Sequence, residues 1–316
     1  MIRNRSVLVT GGAGFIGSHL SERLAENNEV TVIDSLRTGQ KEHVPSDVEF
    51  VEGDITDREL VERTLPGHDV VVHMAALVGV QRTLNHPVEV LETNIEGTRT
   101  LLQVASEHEI DRFLLASTSE VYGDGINVPY QENNRSSPKT DYAVAKLADE
   151  RFVRAYAEEY DFNYTTIRYF NVYGPGQDSS SYGYVVPIFI RQALAGDTLE
   201  VHGDGEQTRD FTYIDDAVRA TVAALSEAGR NETFNVGSNI ETTIGELAEM
   251  VTDVVGAGEV KYIDHPRPYT VKRRLADISK SQATLGYEPM YSLRDGIEEL
   301  AGALSAPSAA STATDD

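Results

Sequence analysis

A glycine-rich turn between the first apolar run and the first helical segment constrains the fold of this chain most. The run Ser6–Thr10 predicts a strand, and the segment Gly14–Glu26 has helical periodicity. Gly11, Gly14 and Gly17 stand at this junction, where backbone must approach closely whatever the turn binds. A helix that starts at such a turn offers free N–H groups and the positive end of its dipole to a pyrophosphate. The turn therefore predicts a dinucleotide site.

An acid at the end of the second predicted strand, Val30–Asp34, indicates the kind of dinucleotide. Asp34 follows Gly17 by 17 residues, a spacing at which a carboxylate hydrogen-bonds the ribose diol of NAD. The same carboxylate would repel a 2′-phosphate, so NAD is favoured over NADP, and only the nearby Arg37 points the other way. Asp54 is a candidate contact to the adenine edge, with a turn role as the equal alternative.

Strand-like and helical segments alternate through the first half of the chain. The alternation is typical of βαβ units, so the predicted fold class is α/β: a doubly wound parallel sheet (Rossmann) with a smaller α/β substrate-binding cap. The predicted strands are Ser6–Thr10, Val30–Asp34, Val48–Val51, Val70–His73, Arg112–Ala116 and Tyr164–Arg168. The predicted helices are Gly14–Glu26, Asp57–Leu65, Val88–His108 and Asp141–Tyr160.

The two predicted domains share the chain in alternating pieces. Residues 1–171 and about 212–236 are assigned to the Rossmann domain, and about 172–211 with 237–302 to the nucleotide-sugar-binding cap. Residues 303–316 are small and polar without a hydrophobic period, so they are predicted to be a disordered tail.

The charge of the chain excludes several classes of partner. With 51 acids, 27 bases and a net charge of −24, the chain would repel nucleic acid and anionic membranes. The sequence has no apolar stretch of about 18 residues, so we expect no membrane span and a cytoplasmic location. Only six of the bases are Lys, which together with the spread of acids indicates a halophilic surface, with an ordinarily acidic one as the alternative. No metal site is predicted, because the chain has no Cys and its eight His lack metal-binding spacing.

A tyrosine and a lysine four residues apart form the candidate catalytic pair. Tyr142 and Lys146 lie on one predicted helix and project from one face. A tyrosine with a pKa near 10 becomes a base near neutrality only if its phenolate is stabilised by about 3 pH units, roughly 4 kcal/mol. An ammonium and a positively charged nicotinamide can provide this, and the same Lys can bind the nicotinamide ribose. Thr118, or Ser117 beside it, follows the fifth predicted strand and can relay the proton, with a capping role as the alternative.

Six motifs occur along the chain in the order that one family shows. They are TGGAGFIGSH at 10–19, HMAA at 73–76, TNIEGT at 93–98, STSEVYG at 117–123, YxxxK at 142–146 and RYFNVYGP at 168–175. Together they resemble the extended short-chain dehydrogenases/reductases. Within these, the chain is most similar to the NAD-dependent epimerases and dehydratases of nucleotide sugars, and in particular to the UDP-glucose 4-epimerases.

The resemblance implies a site for tightly bound NAD and a second site for a nucleotide-diphosphate sugar. On NAD it implies Gly11, Gly14, Phe15, Ile16, Gly17, Asp34, Asp54, Ile55, Ala75, Asn94, Tyr142 and Lys146. On the sugar nucleotide it implies Thr118, Asn171, Arg209 and Arg267. It also implies a homodimer built on the two long helices, 88–108 and 141–160.

The implied reaction is epimerisation at C4 through a transient 4-keto sugar. Ser119 stands where related 4,6-dehydratases carry an Asp before the Glu, so dehydration is disfavoured. UDP-glucuronate decarboxylases share the Thr-Ser-Glu string and are the main alternative, followed by a non-catalytic NAD sensor. Arg274 stands where the family gates sugar size, so this cation either favours an anionic sugar or only offsets nearby acids. Tyr269 and Thr270 depart from the family near the nucleotide ribose, which leaves the nucleotide open.

Overall fold

A parallel sheet with helices on both faces forms the centre of the molecule. The computed structural model describes residues 2–125, 127–177, 184–264 and 271–305. The strands are β1 Ser6–Thr10, β2 Glu29–Asp34, β3 Glu49–Glu52, β4 Val70–His73, β5 Arg112–Thr118, β6 Asn163–Tyr169, β7 Val172–Tyr173, β8 Thr198–His202, β9 Thr208–Asp210, β10 Thr212–Tyr213, β11 Glu232–Val236, β12 Glu241–Thr243 and β13 Glu259–Ile263. The helices are α1 Phe15–Ala25, α2 Arg58–Thr64, α3 Val80–Asn85, α4 Pro87–Ser106, α5 Asp141–Tyr160, α6 Val185–Ala195, α7 Ile214–Ala224, α8 Ile244–Val255, α9 Ser279–Leu285 and α10 Leu293–Ser305.

Seven parallel strands make up the central sheet in the order β3-β2-β1-β4-β5-β6-β11. All six predicted strands are present, with ends shifted by no more than two residues. The seventh strand, β11, pairs in parallel with β6 and was not predicted as a strand, because its sequence ETFNV is short and only partly apolar. The chain leaves β1 in one direction through β2 and β3, and returns to β4 on the other side. Ligands bind at such a switch point, beyond the carboxyl ends of the strands.

The two faces of the sheet carry separate hydrophobic cores. Val7 and Val9 of β1 pack with Leu20 and Leu24 of α1 in the core that also includes α7. Leu8 points the other way, into the core formed with α2, α4 and α5. Burial on both faces explains why the strands have nearly continuous Val, Ile and Leu rather than an alternating pattern.

Three two-stranded pairings lie outside the central sheet: β7 with β10, β8 with β13, and β9 with β12. The division of the chain into a Rossmann domain and a cap stays a prediction. Helix α10 continues to Ser305, so the first three residues of the predicted tail are helical, because Ile297, Leu300 and Ala301 earlier in the helix are buried in the core. Residues 306–316 lie outside the described residues.

Candidate active site

A cavity of about 1310 Å³ lies where the carboxyl ends of the central strands meet. It exceeds the roughly 300–1,000 Å³ of an ordinary small-molecule pocket, so it has room for a dinucleotide and a second ligand. The glycine turn, Tyr142 and Arg209 all line this one cavity. Within the described ranges, no helix is long and apolar enough to cross a membrane. In the same ranges, no cluster of His, Asp and Glu side chains is arranged to hold a metal ion.

The glycine turn between β1 and α1 has no room for side chains. Gly11 has a φ of +74°, and a Cβ there would lie 2.6 Å from the backbone N of Ala75. At Gly17 a Cβ would lie 2.1 Å from the carbonyl O of Gly11. Gly14 is the N-cap of α1, and the first turn of that helix borders the cavity with Phe15 and Ile16. The turn therefore fits the close approach of a pyrophosphate to backbone N–H groups.

Asp34 joins the end of β2 to the glycine turn. Its Oδ2 accepts a hydrogen bond from Ala13 N–H at 3.0 Å, and its Oδ1 accepts one from Leu36 N–H at 2.8 Å. The carboxylate lines the cavity and has lone pairs left for a ribose diol. Arg37, the residue that pointed toward NADP, is already engaged by Glu89 at 2.9 Å, with Asp54 3.9 Å away.

Asp54 has the turn role that its sequence offered as one alternative. Its Oδ1 accepts hydrogen bonds from the backbone N–H and the hydroxyl of Thr56, at 2.9 and 2.8 Å. The same residue lines the cavity together with Ile55. A turn role is therefore present, and the adenine contact stays a prediction.

The segment after β4 is held against the cavity by Asn94. The Asn94 side chain accepts a hydrogen bond from Leu77 N–H at 2.7 Å and donates one to Leu77 O at 3.1 Å. Both ends of the amide are therefore engaged, and Asn94 fixes the cavity wall that Ala75 and Leu77 form. Its predicted contact with NAD would have to share these bonds.

Helix α5 places Tyr142 and Lys146 on the cavity wall. The helix begins at Asp141, and its N-cap Thr140 accepts a hydrogen bond from Ala143 N–H at 3.1 Å. The Thr140 hydroxyl donates to Glu120 Oε2 at 3.0 Å, which ties the start of α5 to the segment after β5. Lys146 is only 1% exposed, and its Nζ has no hydrogen-bond partner among the described residues. A buried ammonium without hydrogen bonds is suited to the hydroxyls of a bound ribose.

The surroundings of the candidate catalytic pair keep Tyr142 protonated in the ligand-free protein. Burial raises the pKa of Tyr142 well above its usual value, and Tyr184, Glu120 and Asp149 act in the same direction. Burial lowers the pKa of Lys146, against the opposing effects of Asp149 and Glu150. Additional positive charge near Tyr142 is therefore required before its phenolate can form near neutrality.

Thr118 presents its hydroxyl to the cavity from the last residue of β5. The strand is two residues longer than predicted, so Thr118 ends it rather than follows it. Its Oγ1 accepts a hydrogen bond from Glu120 N–H at 3.2 Å, which leaves the hydroxyl proton free to donate. Ser117 instead donates its proton to Glu150 Oε1 at 2.6 Å. This geometry favours Thr118 over Ser117 as the residue that relays the proton. The hydrogen bond from Glu120 N–H also gives Thr118 the capping role that was the alternative.

A buried ion pair behind the catalytic helix was not predicted. Glu150 accepts two hydrogen bonds from Arg168 of β6, at 2.9 and 2.7 Å, and Arg168 also donates to the Tyr122 hydroxyl at 2.9 Å. This bidentate pair anchors α5 to β6. The spacing of Glu150 four residues after Lys146 was the available signal, but only the fold shows its partner.

Two guanidinium groups also line the cavity. Arg209 donates hydrogen bonds to Thr208 O at 2.6 Å and Val271 O at 3.0 Å. Burial, followed by repulsion from Arg274, lowers the pKa of Arg209 to about 10. Arg274 is 8% exposed, its Nη1 lies 3.8 Å from Glu120 Oε1, and its Nε has no partner among the described residues. This part of the cavity is therefore suited to anionic groups.

Of the remaining residues predicted to bind substrate, one lines the cavity and one lies outside the described residues. Asn171 follows β6 with a φ of +27° and lines the cavity. Arg267, Tyr269 and Thr270 lie outside the described residues. The sequence did not point to several aromatic and amide residues that also line the cavity: Tyr169, Tyr173, Gln177, Tyr184 and Phe211.

Comparison with known proteins identifies the family. The model of the NAD dependent epimerase/dehydratase family matches residues 7–237. The chain belongs to this family. Its members use NAD, so the predicted cofactor is confirmed. In this epimerase/dehydratase family protein, the features that fit NAD are the glycine turn, Asp34 and the buried Lys146. The predicted doubly wound fold is confirmed as well.

Individual relatives of this family member carry out different reactions. It is 36% identical to a UDP-N-acetyl-alpha-D-glucosaminuronate decarboxylase of Bacillus cytotoxicus, over 92% of this chain and 95% of that protein. It is 36% identical to a UDP-glucose 4-epimerase of Thermotoga maritima solved with UDP-glucose, with a TM-score of 0.90 over 95% of this chain and 98% of that one. A UDP-glucuronic acid 4-epimerase mutant of Bacillus cereus, solved with a fluorinated UDP-glucuronic acid and NAD, is 33% identical with a TM-score of 0.87, over 95% and 98% of the two chains.

Proposed function

We propose that this chain epimerises a nucleotide-diphosphate sugar at C4 through a transient 4-keto intermediate, with UDP-glucose and UDP-galactose or a close relative as the sugars. The observation that carries the proposal is that Tyr142, Lys146 and Thr118 line the same cavity as the glycine turn. This supports a reaction in which a proton-transfer group works together with a cofactor that accepts and returns two electrons. The similar Thermotoga maritima structure, an epimerase solved with UDP-glucose, supports the same class of substrate.

In the proposed reaction, Tyr142, Thr118 and Lys146 have separate parts. When bound, NAD supplies the ring that accepts and returns hydride at the sugar carbon. Tyr142 takes the proton of the 4-hydroxyl as general base, and Thr118 donates a hydrogen bond to the same oxygen. Lys146 binds the ribose hydroxyls and contributes positive charge near Tyr142. The sugar rotates as the 4-keto form, C4 regains hydride on its other face, and the 4-oxygen regains the proton from Tyr142. The net redox change is therefore zero, so the reaction consumes no external oxidant or reductant.

Loss of water from the sugar is not supported by the residues after Thr118. Dehydration requires an acid that protonates the departing hydroxyl. Ser119 occupies the first position after Thr118 and is buried, while Glu120 accepts a hydrogen bond from Thr140 and lies beside Arg274. The proposed reaction therefore consists of oxidation to the 4-keto sugar followed by its reduction, without loss of water.

Decarboxylation of a nucleotide-linked uronate is the second candidate function. Arg274 favours it, since a guanidinium with a free Nε inside the cavity is suited to a sugar carboxylate. The Bacillus cytotoxicus relative carries the name of such a decarboxylase. Both candidates use the same Tyr142 and Lys146, so the product formed distinguishes them.

We propose a homodimer that pairs through α4 and α5, and a cytoplasmic location. The two helices pack against each other, and three of their apolar side chains stand in solvent: Val88, Val144 and Tyr160 are 62%, 44% and 47% exposed. Pairing of these surfaces in a second copy would bury apolar area that a monomer leaves in water.

The test is to incubate the purified protein in molar KCl, without added cofactor, with UDP-glucose, UDP-N-acetylglucosamine or UDP-glucuronate, and to follow the sugars by NMR. We expect a C4 epimer of at least one sugar, formed by NAD that remained bound through purification. UDP-xylose and CO₂ from UDP-glucuronate would instead establish the decarboxylase.

The matched control is Tyr142→Phe, which removes one oxygen and keeps the ring. We expect this variant to retain its bound NAD and to lose turnover by at least about 100-fold, the lower range for a general base. Full activity of the variant would show that Tyr142 is not the base. No product from any sugar with the unaltered protein would contradict both candidate functions.

A further inference from the structure

A fully buried acid lies one helical turn after Lys146 and has no role in the reaction described above. Asp149 is 0% exposed, and neither of its carboxylate oxygens has a hydrogen-bond partner among the described residues. Its Oδ2 lies 3.7 Å from Lys146 Nζ, which also lacks hydrogen bonds. A buried charge without hydrogen bonds is costly, so this pair needs a reason to persist.

The other charged group on this part of α5 is already neutralised. Glu150 pairs with Arg168 at 2.7 Å and accepts the Ser117 hydroxyl proton at 2.6 Å. Its charge therefore acts only weakly on Lys146. In the described part of the chain, Asp149 is the acid within ion-pair distance of Lys146.

The elements that pack against Asp149 contribute hydroxyls and a neutral imidazole. Burial raises the pKa of the Asp149 carboxyl, and Thr98 of α4 opposes this rise. The Thr98 hydroxyl also lies 2.9 Å from His73 Nε2, and His73 Nδ1 lies 2.7 Å from the Thr10 hydroxyl. Burial, followed by the charge of Lys146, keeps the pKa of His73 well below its usual value. His73 is therefore neutral, as a packed polar side chain, and does not compete with Lys146 for Asp149.

We propose that Asp149 is a positioning residue for Lys146: its buried carboxylate keeps the amino group an ammonium and fixes it where the cavity wall meets Tyr142. The inference deepens the proposed function and rests on the role given there to Lys146. It explains how a lysine so deeply buried keeps the charge that the reaction requires.

Electrostatics supports this assignment. Burial lowers the pKa of Lys146, and Asp149 is the largest opposing influence. Burial raises the pKa of Asp149 to about 6, against the effects of Lys146 and Thr98. Above about pH 6 the carboxylate is therefore ionised and holds the ammonium, and below that pH the support is lost. Asp149 also raises the pKa of Tyr142, so the acid acts on both members of the catalytic pair.

The low lysine content makes a direct test possible. With six Lys in the chain, protein labelled with ¹³Cε-lysine gives few signals, and Lys146→Arg identifies the one that belongs to Lys146. We compare pH titrations of this signal in the unaltered holoenzyme, in Asp149→Asn, and in the control Glu158→Gln, which removes one exposed charge from the same helix. In Asp149→Asn we expect the titration midpoint of Lys146 to fall by about 1 to 3 pH units, with no change in the control.

Two further measurements keep the proposal falsifiable. In the unaltered protein the Lys146 signal should show a second inflection near pH 6, where Asp149 titrates, and this needs no variant to fold. The alkaline limb of kcat should move to lower pH in Asp149→Asn by the same amount as the NMR midpoint, whereas a packing role would lower kcat without moving the limb. An unchanged midpoint in Asp149→Asn, or no inflection near pH 6, would overturn the proposal. The NMR titrations need no substrate, so a failure of the epimerisation test leaves them interpretable.

Discussion

Arg274 is the side chain for which we propose an influence on the choice of sugar. It lines the cavity, and its Nε has no partner among the described residues. Arg273 beside it is 56% exposed in its side chain and pairs with Glu241 at 2.6 Å. Two adjacent arginines therefore face different surroundings, which provides a matched pair of variants.

We predict that Arg274→Ser lowers kcat/KM for UDP-glucuronate relative to UDP-glucose by roughly 10-fold or more, because a hydrogen bond to a charged group contributes about 1.5–3 kcal/mol. Arg273→Ser should leave this ratio unchanged. Steady-state kinetics with both sugars provides the measurement. An unchanged ratio in Arg274→Ser would mean that Arg274 only offsets the charge of nearby acids such as Glu120.

At the scale of the elements, the junction of β1 and α1 packs backbone closely against backbone at the cavity. A Cβ at Gly17 would lie 2.1 Å from Gly11 O and 2.8 Å from Gly11 C. Backbone atoms cannot yield as a flexible side chain can, so the turn must open. Gly302 in α10 is exposed, and a Cβ added there would have no described atom within 4 Å, so this position accepts the same substitution without strain.

We predict that Gly17→Ala reduces the NAD retained through purification and lowers Tm, since the turn that approaches the pyrophosphate is displaced. Gly302→Ala should retain NAD and keep or raise Tm, because Ala favours a helix by up to about 1 kcal/mol over Gly. Absorbance of the released cofactor and thermal unfolding give the two values. Equal NAD content in both variants would contradict the assigned role of the turn.

At the scale of the whole molecule, a net charge of −24 sets the response to salt. Salt weakens both repulsion among the acids and attraction within ion pairs. Several ion pairs among the described residues are exposed, and such pairs contribute only about 0–1 kcal/mol each. Repulsion spread over the entire surface therefore outweighs them, and its screening should stabilise the fold.

We propose a halophilic protein, and predict that Tm rises by at least about 5 °C, or roughly 3 kcal/mol, between dilute buffer and 1 M KCl, where the Debye length is about 3 Å. Light scattering in the same 1 M KCl should give the mass of a dimer. A Tm that stays constant or falls would identify an ordinarily acidic surface, and a monomer mass would contradict the dimer through α4 and α5.

The sequence alone predicted the sheet and the cofactor, and it singled out Tyr142 and Lys146 as candidate catalytic residues, because each of these depends on local patterns. Six strands were evident from apolar runs, and the helix Asp141–Tyr160 has the same ends in the structure as in the prediction. The glycine turn lies within a single junction, and Tyr142 and Lys146 lie four residues apart on a single helix. Residues that act through backbone geometry or i,i+4 neighbours can be recognised before the fold is known.

Only the tertiary structure decided which distant residues meet. Arg168 follows Glu150 by 18 residues, Thr98 lies on another helix than Asp149, and β11 joins the sheet through its pairing with β6. The sequence likewise could not show that Asp149 is buried against Lys146 or that Arg273 and Arg274 differ in exposure. Long-range contacts and burial depend on how the elements pack, and no local period encodes them.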